Sequence, residues 1–451
     1  MSWPFALGGA TGLLAAVMLA GAPVFIAFLT LNLAGLSLLI GPRGFGLFAN
    51  SLYQTATSSS LAAIALFVLM GEILFRSGAI EILFDSIDRL IGRVRGRLYV
   101  VTIALSTLFG ALSGSAVAVA AMLGRSLLPS MAARGYDRRL AAATILSGAS
   151  LAPIIPPSLL AIIVGSMADV SIAGLLIAGV APGIVLAALT LGYVALRVAR
   201  GAPAGRVEEG RPPAAGSAAL AEAAADRPQA PRLTVARALL NLAPFSLTVF
   251  AVMGLILLGV ATPSESAATG VVGACLTAAV FRRFSLAMLR EALASTVTIA
   301  AAILLIICSA KLFSQLLSFS GATRGLVELA GASALGPDLT VLVMMLIPLI
   351  LCMFIDQIAF MLLAIPIYEP IVESLGVDPI LFWTLFLINL TVGSLTPPFG
   401  YTLFALKGAA GGALNSADVF RAAWPVVGLF LTGMALFWFA PGLVLWLPGL
   451  L

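Results

Sequence analysis

Two clusters of small polar residues and prolines hold the chemistry available to this chain. One combines Ser113, Gly114 and Ser115 with Pro156, Pro157 and Ser158. The other combines Asp356 with Thr396, Pro397, Pro398 and Gly400. A proline lacks the backbone donor and clashes with the preceding turn, so a diproline frees carbonyl oxygens that a helix would otherwise use. Free carbonyls coordinate cations, and helix N-termini attract anions. With the hydroxyls of Ser113, Ser115, Ser158 and Thr396, they offer the several oxygen ligands that a hard cation such as Na+ takes. Ser147 and Thr391 add hydroxyls upstream of the diprolines. Together with Ser158 and Lys311 they are the candidates for touching a substrate. Any one of these serines alone reads as ordinary helix packing; gathered at two matched points, they read as a site.

The clusters match because the chain is duplicated. Pro129, Gly135, Asp137 and Pro156-Pro157 return after 241 positions as Pro370, Gly376, Asp378 and Pro397-Pro398. Pro182 then answers Pro425, and Gly21-Ala22-Pro23 stands opposite Thr262-Pro263-Ser264. Proline and glycine are the residues least free to sit anywhere in a helix, so shared spacing of this kind is hard to reach by chance.

The chain has 451 residues, 61% hydrophobic and 10% charged, with a mean hydropathy of +1.14. Runs of about 20 apolar residues span a bilayer, and they recur along the sequence. The runs do not alternate, which argues against a membrane β-barrel. There is no histidine, so the commonest metal ligand and general base is missing. Cys275, Cys308 and Cys352 lie in apolar runs and read as small buried hydrophobes. No basic region precedes the first apolar stretch, so no cleavable signal peptide is expected.

Apolar segments are expected near 5–20, 22–40, 59–75, 138–168 and 172–197, then near 236–260, 264–281, 293–318, 379–407 and 418–447. Polar-faced stretches are expected at 76–97 and 321–337. Residues 98–133 and 338–375 are apolar but broken midway, and read as re-entrant hairpins; the alternative is a plain helix with small residues for close packing. The diprolines read as unwound points inside crossing helices, tolerated at membrane depth only where buried or lining a cavity. The expected fold is thus an all-α polytopic membrane protein with an inverted-topology repeat, two hairpins and two unwound helices. Residues 1–199 and 238–451 are the two repeats. Residues 200–237, rich in Ala, Pro and Gly, read as a disordered cytoplasmic linker.

Charge supports the inversion. Residues 76–97 hold five arginines, whereas the equivalent 317–338 hold one, Arg324. Residues 125–139 hold four, and 366–380 none. Only one loop of each equivalent pair is basic, as expected if the copies lie opposite ways up in the membrane. Glu72, Glu265, Lys311 and Asp356 fall in or near apolar segments, where a charge is costly and marks a functional candidate. Lys311 reads as a counter-charge for substrate or as a partner of Glu72. Asp356 is the strongest of the four, at the expected tip of the second hairpin.

At these residues the chain resembles the large membrane subunit (M-type, DctM-like) of the tripartite ATP-independent periplasmic (TRAP) transporters. The first half reads SGSAVAVAAMLG (113–124), LPSMAARGYD (128–137), IIPPS (154–158) and VSIAGLLIAGVAPG (170–183). The second reads ATPSESAA (261–268), FIDQIAFMLLAIPIYEPIVESLGVDP (354–379) and LTPPFGYTLFALKG (395–408). The resemblance implies an elevator-type secondary transporter in the bacterial inner membrane. It would import an organic acid such as a C4-dicarboxylate, sialic acid or keto acid by Na+ symport. A periplasmic substrate-binding protein would deliver the organic anion, and a separate small four-helix Q-type membrane subunit would accompany the chain. Neither an enzymatic activity, a bound cofactor nor a nucleic-acid partner is expected. The rival readings are a stand-alone carboxylate transporter or exporter of the same superfamily and, remotely, an intramembrane hydrolase. The chain departs from many relatives at Val119, where they carry Asp, and around Asn389, where they carry an acidic residue.

Overall fold

The computed structural model describes residues 3–39, 41–92, 94–204, 234–332 and 336–450. Helices dominate, because a helix satisfies its own backbone where no water is present to do so. Among the described residues there is no strand, only an isolated antiparallel bridge between Tyr136 and Ala204. The first half comprises α1 (Trp3–Leu19), α2 (Val24–Leu39), α3 (Gly44–Ala56), α4 (Ser59–Arg76), α5 (Ala79–Ile91) and α6 (Arg97–Ser113). It continues with α7 (Ala116–Ser126), α8 (Leu128–Ala133), α9 (Arg138–Leu151), α10 (Leu159–Met167), α11 (Ile172–Ala178) and α12 (Val180–Ala199). The second half comprises α13 (Val235–Leu257), α14 (Pro263–Val280), α15 (Leu286–Phe319), α16 (Ala322–Ala332) and α17 (Pro337–Leu351). It ends with α18 (Gln357–Leu375), α19 (Pro379–Leu395), α20 (Tyr401–Ala409), α21 (Ser416–Phe439) and α22 (Gly442–Leu445). Among the described residues six stretches are long and apolar enough to cross a membrane, or seven if the bent α3–α4 pair is one span. The chain is an all-α polytopic membrane protein.

The duplication is visible in both caps and contacts. Ser115 and Asp356, 241 positions apart, cap α7 and α18 with their side chains. Asp137 and Asp378 do the same for α9 and α19. A side-chain oxygen at this position satisfies an orphan N–H of the first turn. The two halves also exchange contacts reciprocally. Helix α4 packs on α14, and its counterpart α15 packs on α2; α5 packs on α13, and its counterpart α16 packs on α1. Such exchange is what a pseudo-two-fold relation between copies produces.

Helix α3 is absent from the sequence reading. Its residues, GFGLFANSLYQTA, mix apolar and polar side chains, and the run is short. Its counterpart is hidden in the 34-residue α15, which begins at Leu286, earlier than the expected 293. The last expected segment, 418–447, ends as a helix at Phe439. Of the expected linker, residues 205–233 lie outside the described residues. At its edges, Pro203 accepts hydrogen bonds from the Asp137 amide (3.0 Å) and the Tyr99 hydroxyl (2.9 Å), and α13 has begun by Val235.

Candidate functional site

Both diproline points interrupt their helices. Helix α9 ends at Leu151, and α10 starts only at Leu159, with Pro156-Pro157 cis between them. Helix α19 ends at Leu395, and α20 starts at Tyr401, again around a cis diproline, Pro397-Pro398. The carbonyls of these four prolines lie outside the hydrogen-bond ladders of the adjoining helices. In each half a hairpin tip reaches the unwound segment. The first tip is Gly114-Ser115, between α6 and α7; Gly114 has φ +62°, open to glycine at no steric cost. The second is longer, residues 352–356, between α17 and α18. The arms of each hairpin touch one another, and both rest on the interrupted helix, α9 or α19.

Glycines set these approaches. A Cβ at Gly114 would stand 3.2 Å from the Leu159 nitrogen, which brings the first tip against Ser158 and the start of α10. A Cβ at Gly110 would meet the Ala152 Cα at 2.7 Å. In the second half, a Cβ at Gly393 would meet the Cys352 Cβ at 2.6 Å. Gly400, before α20, leaves no room for a side chain: its Cβ would stand 2.4 Å from the Ser394 carbonyl oxygen. The halves then meet at the centre. Helix α7 packs on α20, with Gly124 against Leu406, and α10 packs on α18.

The polar groups at the first break are neutral. Ser113 closes α6. The Ser115 Oγ accepts from the Ala118 amide at 3.3 Å. Ser158 is fully buried; its hydroxyl donates to the Pro153 carbonyl (2.5 Å) and accepts from the Ala161 amide (3.2 Å). At the second break, Asp356 Oδ2 accepts from the Ile358 (3.0 Å) and Ala359 (3.2 Å) amides. The Thr396 hydroxyl donates to the Val392 carbonyl at 2.6 Å. Sequence reasoning missed three neighbours. Thr402 and Ser394 face one another across the gap at 3.3 Å. Gln357, next to Asp356, is buried and its Oε1 has no partner. Gln357 and Thr402 stand inside the quoted motifs and Ser394 immediately precedes one, and their proximity to Asp356 and Thr396 was the available signal.

The four substrate candidates separate. Ser158 lies at the first break. Ser147 is fully buried and shares a 2.6 Å hydrogen bond with Thr190 of α12, which commits it to holding α9 on α12. Thr391 is buried within α19 and donates to the Leu387 carbonyl at 2.9 Å. Lys311 does not pair with Glu72. Glu72 is held by Arg76, four residues on, at 2.9 Å, and Arg76 also reaches Glu291 at 2.9 Å. Lys311 is half-buried on α15 and lies in the electrostatic field of Glu369 on α18. Glu265 acts locally in a capping box with Thr262 at the start of α14. Asn389 is buried, with its amide donating to the Met345 carbonyl and its Oδ1 unpartnered. Among the described residues no group of three or more Cys, Asp or Glu could hold a metal ion as a cluster.

A duplicated helical membrane protein whose backbone opens at two matched points between its halves has the architecture of a secondary transporter. Sequence comparison gives the family. Residues 11–443 match the tripartite ATP-independent periplasmic transporter, DctM component. The chain is 30% identical to the ectoine/5-hydroxyectoine TRAP transporter large permease protein UehC of Ruegeria pomeroyi, over 85% of this chain and 88% of that one. It is 28% identical to the C4-dicarboxylate TRAP transporter large permease protein DctM of Pseudomonas aeruginosa, over 91% of each. The fold is shared with the Alcanivorax borkumensis YdaH transporter, with a TM-score of 0.61 and 16% identity over 90% of this chain and 89% of that one. The chain belongs to the TRAP transporter large permease family.

Proposed function

We propose that this permease couples Na+ to the import of a small organic acid. One Na+ is held between Ser113–Ser115 and Pro156–Ser158, and another between Asp356 and Thr396–Gly400. The organic anion lies between the two clusters. The observation that carries the reading is the pairing of each unladdered diproline with a hairpin tip bearing an oxygen ligand, Ser115 or Asp356. Half-helix ends and unwound carbonyls in such an arrangement suit a cation and an anionic cargo together. The two repeats, residues 1–199 and 238–451, lie opposite ways up, with segment 200–237 in the cytoplasm. The chain sits in the bacterial inner membrane beside a small four-helix subunit, and a periplasmic binding protein delivers the cargo. Relatives named for ectoine and for C4-dicarboxylates support a small carboxylate as that cargo.

The test is uptake into proteoliposomes that contain both membrane subunits, with the binding protein outside. Wild-type uptake follows the inward Na+ gradient. Ser115→Ala and Asp356→Ala each raise the Na+ concentration needed for half-maximal uptake while the protein still inserts and expresses. Unchanged Na+ dependence in both variants would remove the assignment of the site.

A further inference from the structure

Away from the proposed transport site, a cleft opens at the end of the bundle where arginines gather. It has a volume of about 400 Å³ and lies between the loop before α6 and the C-terminal half of α12. Its walls are apolar: Val100 of α6 faces Leu191, Val194, Ala195 and Val198 of α12. From Leu191 to Val198 the wall is roughly 10 Å deep, at about 1.5 Å of rise per residue. Arg95 stands among the lining residues and is exposed. Among the described residues Arg95 forms no ion pair. Arg197 and Arg200 follow on the same end of α12. Arg197 lies over the Tyr193 ring at 5.9 Å and has no carboxylate partner among the described residues. Among the described residues two nearby carboxylates are occupied. Asp88 is paired with Arg97, and Asp137 caps α9 through the Leu140 amide at 2.7 Å.

A cleft with greasy walls and, among the described residues, positive charge without a carboxylate partner at its mouth fits one kind of molecule that surrounds a membrane protein. We propose that this cleft is a binding site for an anionic phospholipid. One acyl chain lies along α12 between Val100 and Ala195, and the headgroup phosphate pairs with Arg95. Basic pockets between transmembrane helices select anionic headgroups in this way. The apolar walls hold a chain of any phospholipid, so the choice of headgroup falls to the arginine.

Native mass spectrometry of the detergent-solubilised protein tests this, with phosphatidylglycerol and phosphatidylcholine of identical acyl chains as probes. The wild type binds phosphatidylglycerol more tightly. Arg95→Gln lowers that preference about fivefold, the worth of one arginine at a membrane surface. Ala195→Phe, an exposed position on the wall, fills the cleft and weakens both lipids. Arg290→Gln, an exposed arginine of α15, changes neither. Inorganic phosphate at millimolar concentration does not displace the lipid. Thermal melting of each variant in detergent verifies that it is folded. Equal binding of the two lipids, an unchanged preference in Arg95→Gln, undiminished binding in Ala195→Phe, or displacement by phosphate alone would each overturn the proposal.

Discussion

The two breaks share a backbone plan and differ in chemistry. At the first, the tip is two residues long, the capping group is the Ser115 hydroxyl, and Pro156, Pro157 and Ser158 are buried. At the second, the tip runs over five residues, and the capping group is the Asp356 carboxylate. The 241-residue shift pairs Ser113 with Phe354 and Ser158 with Phe399. Those two phenylalanines are 53% and 55% exposed, and their rings stand 5.6 Å apart, bridging tip and break. Duplication therefore fixed where the chain unwinds and left open what lines the gap. The first half offers neutral oxygens in a closed setting; the second offers a charge beside an open aromatic pair.

The glycines provide the harshest way to break the comparison. Both halves press a hairpin arm onto the interrupted helix, but the first half places a glycine on each side of that contact (Gly110 on the hairpin, Gly148 on the crossing helix against Ser106), and the second uses Gly393 on the crossing helix. Gly110→Ala drives a methyl into the Ala152 backbone, and Gly393→Ala drives one onto the Cys352 side chain. Each costs about 1–3 kcal/mol, as overpacking does, seen as a lowered melting temperature in detergent. The second is partly rescued by Cys352→Gly, because the nearest obstacle there is a side-chain atom. The first is not rescued by Ala152→Gly, because backbone remains in the way. Equal rescue in both halves would mean that the contacts are more alike than the structure gives.

Charge separates the halves next. Asp356→Asn keeps a capping oxygen, and asparagine caps as well as aspartate. Stability is expected to hold while Na+-dependent uptake falls roughly ten- to hundredfold, the scale of losing a charged ligand worth roughly 1.5–3 kcal/mol. Ser115→Ala does the reverse: it removes the cap and costs about 1 kcal/mol of stability, with a smaller change in the Na+ requirement. Melting curves and Na+ titrations on the same preparations check both. If Asp356→Asn left the Na+ requirement unaltered, the charge would have no part in binding, and the chemical contrast between the halves would lose its functional meaning.

Much of the fold was legible because proline and glycine have few places to sit. The diprolines and the two hairpin tips, at Gly114-Ser115 and Asp356, stand where punctuation alone put them; the capping roles of Ser115, Asp137, Asp356 and Asp378 came only with the structure. Composition reached the class, since a run of apolar residues has one home. What escaped was either locally ambiguous or non-local. Helix α3 carries Asn50, Ser51 and Gln54 among apolar residues, so hydropathy did not flag it. The Glu72–Arg76 pair is legible at the four-residue spacing of helix neighbours, whereas Lys311, inside an apolar run, is the more conspicuous cation. Ser147 looked like a site residue because it precedes the diproline by a few turns; only its neighbour across 43 positions, Thr190, shows that it holds two helices together. The asymmetric glycines were also invisible, since Gly110 and Ala152 meet only once the hairpin has folded back.

The smallest effect falls on the aromatic pair, and it asks how far the two halves can be made alike. Phe399 occupies the place of Ser158, but a serine there would not do the work of Ser158. Ser158 is itself the N-cap of α10, whereas α20 takes its N-cap one residue later, at Gly400. Phe399→Ser therefore gives up the ring contact and gains no cap. Edge and tilted aromatic pairs contribute about 0.5–1.5 kcal/mol, and this pair is half open, so the lower end applies. Combined with Phe354→Ala in a double-mutant cycle, the coupling read from melting temperatures is expected near 0.5 kcal/mol, toward the floor of what such cycles resolve. No coupling would mean that the rings do not hold tip to break. A gain in stability from Phe399→Ser alone would mean that the hydroxyl had captured an amide, moving the start of α20 back by one residue to match the first half.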